Sequence, residues 1–400
     1  MRLVRGAVAL VGSWCFLSAC GEAPSPALAP LAEPTSPSAL GPYEVGVTTL
    51  QGSDGEEGGR SFPIEVWYPA RPAAGAPLAT YELTAGVLVL AQVESPRGAV
   101  RDAPPDVRDE RYPVVVFSHG SFGVRFQSVY LTEYLASHGF VVAAPDHAGN
   151  TIAEGIDSSI ALPAAEMARL RPIDVSRTLD AVLQEGEAPG SLLSGLPDGA
   201  RAGVAGHSFG GFTSMRIAGA TFDFDAMAAH CELEPGDKVC EGWADVAPTM
   251  PASARDPRFL AALPQAPGAA VAFGAGIGEV AVPTFVQAGT LDDTTPYEPE
   301  ARAPFEALPS PAYLLTLEGA GHFTFSDMCT LVELLGLTSN DFDDGCSPEN
   351  LPWPEAHESI VAHGTAFLQR YVAGYEAADH PALAGWLDAR SEPPVTLEAK

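Results

Sequence analysis

The run Pro113 to Phe117, inside "RYPVVVFSHG", is continuously apolar and rich in β-branched residues. A strand of that composition must be buried on both faces, because a half-exposed strand alternates apolar with polar positions. Helix-like "RFQSVYLTEYLASHG" follows, with Phe126, Val129, Tyr130 and Tyr134 on one face and Gly139 as its stop, and then a second buried run, "FVVAAPD". "DVSRTLDAVLQ" sets Val175, Leu179, Val182 and Leu183 at helical spacing, with Asp174 as the expected cap. "AGVAGHSFGGFTSMRIAGA" supplies a third strand and helix. "AAVAF", "VPTFVQAG" and "AYLLTLEGAG" read as further strands, and "ESIVAHGTAFLQRYVAGY" as a closing helix. Ahead of all these, "YEVGVTTLQ" and "FPIEVWYP" alternate across the acidic loop "GSDGEEGG" as a hairpin would, while Tyr81 to Gln92 fits either a strand or a short helix. The alternation predicts an α/β fold, a mostly parallel central sheet with helices on both faces. Residues 221–262 interrupt it after the third helix with an acidic, cysteine-containing insertion, a candidate lid or pocket wall.

A chain of 400 residues, 46% hydrophobic, can bury one large core, and residues 43–400 read as a single elaborated domain. Residues 1–19 have a basic head at Arg2 and Arg5, a short apolar segment and a small-residue cleavage site, the pattern of a signal peptide. "LSAC" resembles the lipobox of bacterial lipoproteins, which implies export and acylation of Cys20, and Gly21 in place of aspartate points to the outer membrane. Residues 20–42, rich in Pro, Ala and Ser, read as an extended tether. The membrane is thus expected as a partner through the N-terminal lipid only. With 21 basic against 51 acidic residues, the net charge of −30 excludes nucleic acid as a natural partner. Oligomeric state is not legible. In an oxidising compartment, sequence proximity pairs Cys231 with Cys240 and Cys329 with Cys346. No His/Cys spacing resembles a zinc site.

The chemistry centres on "GHSFG", Gly206 to Gly210, a G-x-S-x-G motif lying between the third strand and its helix. That context is what a nucleophile elbow needs: the tight turn exposes the Oγ of Ser208 at the edge of the sheet, and flanking glycines remove side chains that would clash. A serine hydroxyl needs a neighbouring base. Of nine histidines, His322, after the last strand, fits the chain order of nucleophile, acid and base. His207 should point away from the serine, while His119, His147, His357 and His363 read as structural. The acid should follow the preceding strand, where "GTLDDTTP" offers Asp292, the choice by its spacing to Pro296, or Asp293. Backbone N–H groups of Phe209 and Ser121, with Phe122 as the alternative to Ser121, are the expected oxyanion donors. "SNDFDDGC" is similar to a calcium loop, but Phe342 occupies a ligand position, and the stretch reads as a solvated acidic turn. Trp67, Phe126, Phe209 and Phe323 read as core or as pocket lining.

"VVVFSHGSFGVRFQSVYLTEYLASHGFVVAAPDHAGNT", "RPIDVSRTLDAVL" and "GHSFGGFTS", with "IEVWYPA" upstream, together resemble the bacterial α/β-hydrolases grouped with platelet-activating-factor acetylhydrolases and dienelactone hydrolases. The resemblance implies an α/β-hydrolase fold and a carboxylic-ester hydrolase acting on a small-molecule or lipid ester, with no metal or cofactor. Two departures stand out. Dienelactone hydrolases proper use a cysteine where this chain has Ser208, and animal acetylhydrolases carry the acid one strand earlier, where "AAVAFGAG" has none. A surface-binding lipoprotein on the same scaffold and an acyltransferase are the rival readings. The acid–histidine pair counts against the first, and only product analysis separates the second.

Overall fold

The computed structural model describes residues 28–55, 59–85, 88–336 and 342–400. The expected signal peptide (1–19) and Cys20 lie outside them. The strands are β1 (Glu44–Ser53), β2 (Ser61–Ala70), β3 (Thr80–Ala85), β4 (Leu88–Glu94), β5 (Val100–Arg101), β6 (Tyr112–Ser118), β7 (Val141–Pro145), β8 (Pro197–His207), β9 (Phe259–Gln265), β10 (Thr284–Gly289), β11 (Ala312–Leu317), β12 (Arg390–Glu392) and β13 (Val395–Ala399). The helices are α1 (Val129–Ser137), α2 (Ile152–Ile156), α3 (Ala164–Glu187), α4 (Phe209–Ala218), α5 (Phe224–Leu233), α6 (Trp243–Val246), α7 (Ala303–Ala307), α8 (Met328–Leu335), the single turn α9 (Asp343–Cys346) and α10 (Trp353–Leu368). None of the described helices is long and apolar enough to cross a membrane.

One sheet runs β12-β13-β11-β10-β9-β8-β6-β7-β2-β1-β5, and β3-β4 form a separate hairpin. From β7 to β11 all pairings are parallel, while β2 joins β7, and β13 joins β11, antiparallel. Successive residues of β6 serve opposite cores: Val114 and Val116 pack with Val175, Leu179 and Phe212 of α3 and α4, whereas Val115 and Phe117 pack with Leu131, Leu135 and Ile360 of α1 and α10. The apolar run is continuous because both faces are covered. Strand order reverses at β6, which has β7 on one side and β8 on the other. A crevice therefore opens at the carboxyl ends of β6 and β8, where ligands of open α/β sheets bind.

Two sequence expectations give way to the structure, the strand at "AAVAF" and the cap at Asp174. "AAVAF" is not a strand: Ala270–Ala272 form a 3₁₀ turn entered through Ala269 at φ 59°, and the strand in that place is β9, so the insertion ends before Phe259. Short apolar runs of alanine do not distinguish the two, and Pro267-Gly268 ends the strand that precedes them. Asp174 does not cap a helix. α3 starts ten residues earlier, at Ala164, and Asp174 is buried inside it. Residues 28–42 form no helix or strand, and hydrogen bonds tie them to the domain. The Tyr134 hydroxyl donates to the carbonyls of Pro37 (2.7 Å) and Ala39 (2.8 Å), and the Tyr43 hydroxyl accepts from the Ala32 N–H (2.6 Å). Tyr81 to Gln92 is a hairpin, and β12-β13 extend the sheet beyond the closing helix.

Candidate active site

β8 ends at His207 and α4 begins at Phe209, so the chain reverses at Ser208, which sits at φ 58°, ψ −120°. That conformation costs a non-glycine residue about 1–3 kcal/mol. The surroundings enforce it: a Cβ on Gly210 would lie 1.8 Å from the Ser118 carbonyl oxygen, and one on Gly206 would lie 2.4 Å from that of Gly210. Glycine at both positions lets the turn press against the end of β6. The Ser208 N–H donates to the Gln265 carbonyl at the end of β9 (2.9 Å).

His322 follows β11, and its Nε2 lies 2.9 Å from Ser208 Oγ while its Nδ1 lies 2.9 Å from Asp292 Oδ2. Thr295 orients that carboxylate, its N–H donating to Oδ1 (2.6 Å) and its hydroxyl to Oδ2 (2.8 Å). Asp292 and His322 are 4% and 2% exposed, so the pair is shielded from water. Asp293 is exposed. Of the two adjacent aspartates, the structure brings Asp292 to the imidazole. His207 turns beneath it: Nε2 donates to the His322 carbonyl (3.0 Å) and Nδ1 accepts from Gln127 Nε2 (2.8 Å). Burial, then the neighbouring His322, holds the His207 pKa well below the ordinary imidazole value.

The loop after β6 passes over the serine. The Gly120 N–H donates to Gln127 Oε1 (2.9 Å) and the Gly123 N–H to the Gly120 carbonyl (3.2 Å). Ser121 lines the same cavity as Ser208 and Phe209, and Phe122, at φ 54°, does not. The Phe209 N–H opens α4, where helix geometry leaves backbone donors free. The cavity holds about 420 Å³, and its apolar lining includes Phe212, Phe222, Met227, Val239 and Trp243, with Ala164, Ala165 and Ala168 of α3. The rings of Phe222 and Trp243 stack at 5.2 Å. The insertion is thus a wall of this cavity, stapled by Cys231–Cys240, while Cys329–Cys346 closes the loop beyond His322. Trp67, Phe126 and Phe323 do not line it. Among the described residues no cluster of His, Cys, Asp or Glu is arranged to hold a metal ion.

Two family models match part of the chain: "Platelet-activating factor acetylhydrolase, isoform II" over residues 32–157, and "Dienelactone hydrolase family" over residues 99–239. A platelet-activating factor acetylhydrolase of Cavia porcellus is 28% identical over 228 residues, 46% of this chain and 52% of that protein, so the match spans about half the length of the relative. The ferulic acid esterase of Streptomyces cinnamoneus superposes with a TM-score of 0.60 at 22% identity, covering 89% of this chain and 96% of that one. The chain has the α/β-hydrolase fold.

Around this α/β-hydrolase site lie supports that sequence reasoning missed. Asp344, read as part of a solvated turn, accepts from the His322 N–H (2.8 Å) through Oδ1 and from the Thr294 N–H (2.8 Å) through Oδ2. A second hydrogen-bonded series, Ser118 Oγ to His147 Nε2 (2.8 Å) and His147 Nδ1 to Asp174 Oδ2 (2.9 Å), repeats the pattern of the first. All three of its side chains are fully buried, so it meets no substrate and fixes the end of β6. Only the long helix, not the local spacing, brings Asp174 there.

Proposed function

We propose that this protein is an exported carboxylic-ester hydrolase that works through an acyl-enzyme on Ser208. The observation that carries this reading is the series Ser208 Oγ, His322 Nε2 and Nδ1, Asp292 Oδ2, with both gaps at 2.9 Å, whose serine lines a largely apolar cavity. His322 Nε2 takes the hydroxyl proton as Oγ attacks the ester carbonyl, and Asp292 holds the ring and stabilises the imidazolium. The N–H groups of Phe209 and Ser121 receive the negative charge on the carbonyl oxygen, each contributing a few kcal/mol, on the order of 2.7–4, to lowering the barrier. The imidazolium then protonates the departing alcohol. Water, deprotonated by the same nitrogen, releases the acid in the second half.

The names of the matching proteins, an acetylhydrolase and an esterase, agree with ester cleavage. The cavity extends that reading to the acyl group. An aromatic wall and about 420 Å³ suit a medium-length alkanoyl or an aryl acid better than acetate, since burial of apolar area yields ~25 cal/mol per Å² and acetyl leaves most of the wall uncovered. Export and a lipid at Cys20 follow from the N-terminal sequence pattern. The test is hydrolysis of p-nitrophenyl esters from acetate to decanoate by wild type and Ser208→Ala, with labelling by a fluorophosphonate probe. Wild type should be labelled and should prefer octanoate to acetate, and Ser208→Ala should do neither. Undiminished hydrolysis by the variant would sink the assignment.

A further inference from the structure

We propose that Arg171 is a positioning residue for oxyanion binding: its guanidinium orients the Gly120–Ser121 peptide and sets a positive charge behind the carbonyl oxygen of the reacting ester. This rests on the reading of Ser208 as the nucleophile. Arg171 lies in α3, fully buried. Its Nη1 donates to the His119 carbonyl (2.5 Å), and its Nη2 to the Gly120 carbonyl (2.9 Å) and Asn150 Oδ1 (2.7 Å). Every one of those acceptors is neutral. Asp174, one turn along, is engaged by Arg60 (2.5 Å) and His147 (2.9 Å). A guanidinium buried without a carboxylate of its own is expensive, and a neutral amide would staple a loop more cheaply.

The geometry gives the charge a use. In a trans peptide the C=O and N–H point in opposite directions. The Gly120 carbonyl faces Arg171, and also accepts from His119 Nδ1–H (2.7 Å) and the Gly123 N–H (3.2 Å). The Ser121 N–H therefore faces the other way, the side on which Ser121 lines the cavity with Ser208. A donor on the carbonyl also polarises the N–H of the same peptide. The guanidinium carbon meanwhile sits 4.6 Å from the ring centroid of Phe209, so one side chain touches the carbonyl of the peptide that carries one donor and the ring of the residue that carries the other. Burial, partly offset by Asp174, presses the Arg171 pKa down to about 9, which leaves it charged at neutral pH. A fixed charge in a dry site is the kind that acts on a developing oxyanion.

The experiment is ¹³C NMR titration of the hemiketal formed with a carbonyl-labelled octyl trifluoromethyl ketone, together with kcat and KM for p-nitrophenyl octanoate. Variants are Arg171→Met, Arg171→Lys and Asn150→Asp, the last placing a carboxylate on Nη2 while keeping the hydrogen bond, so that folding is retained if Arg171→Met does not fold. Expected in Arg171→Met and Asn150→Asp are a hemiketal pKa raised by about one unit and kcat lowered at least tenfold at constant KM, with Arg171→Lys between them and wild type. A hemiketal that titrates as in wild type in Asn150→Asp overturns the role of Arg171 alone. Absence of any adduct in wild type overturns the nucleophile, and this inference with it.

Discussion

The carboxylate of Asp344 bridges the loop that carries Asp292 to the loop that carries His322. Oδ1 accepts from the His322 N–H (2.8 Å), and Oδ2 accepts from the Thr294 N–H (2.8 Å) and hydroxyl (2.6 Å). It touches no reacting atom, so its effect is on the register of acid and base. Asp344→Ala should lower kcat about 10–100-fold with KM little changed, since small displacements of reacting groups have costs of that size. Loss of bonds to a charged acceptor should lower stability by about 1.5–3 kcal/mol. Urea unfolding and ester kinetics on the same preparation check both.

The two disulfides should separate by phenotype. Cys329–Cys346 spans 17 residues and ends two positions after Asp344, whereas Cys231–Cys240 spans 9 and holds the cavity wall. The loop-entropy estimate is about 3 kcal/mol for the longer and somewhat less for the shorter. Replacing the first pair by alanine should lower kcat on every ester. Replacing the second should raise KM for octanoate while leaving acetate turnover in place. Equal effects of both on all acyl lengths would contradict this division.

The parallel sheet and the elbow were legible because each rests on local signals: Val114 to Val116 must be covered on both faces, and Gly206 and Gly210 flank the turn where side chains would strike backbone. The gathering of Ser208, Asp292 and His322 followed from chain order along that sheet. What escaped was set by tertiary packing. Asp174 has a cap's neighbours in sequence, yet the helix begins at Ala164, and Asp344 looks like one acidic residue among several until the Cys329–Cys346 loop folds back. Asp292 and Asp293 are chemically alike. Only the direction each takes from the end of β10, one buried and one exposed, distinguishes them.

If the cavity receives the acyl chain as proposed, Trp243 should set the acyl preference. It stacks on Phe222 and lines the cavity, and its ring contacts are with Phe222 and Phe224 rather than with Ser208, His322 or Asp292, so Trp243→Ala removes apolar contact without removing a reacting group. The kcat/KM for octanoate should fall about tenfold, roughly 1.4 kcal/mol of transition-state binding, and that for acetate should change less than twofold. A parallel fall for both esters would place the acyl chain elsewhere.

His357 offers a test of burial through pH. It is 5% exposed, its Nε2 donates to the Thr324 carbonyl (3.0 Å), and its ring stacks on Tyr130 at 3.6 Å. Burial presses its pKa down to about 3, with the Thr324 carbonyl opposing. An unfolded histidine titrates near ~6.5, so below that pH the unfolded chain binds a proton that the folded chain does not, and the contribution to stability falls as pH falls. The slope approaches about 1.4 kcal/mol per pH unit. His357→Gln keeps a donor for Thr324 and removes the titration. Other groups cancel in the comparison, so urea unfolding at pH 7.5 and 5.0 should show the variant gaining about 2 kcal/mol on wild type between the two conditions. An unchanged difference would mean that the folded protein already holds the proton on this ring at pH 5.0, which its stacked, enclosed position on Tyr130 opposes.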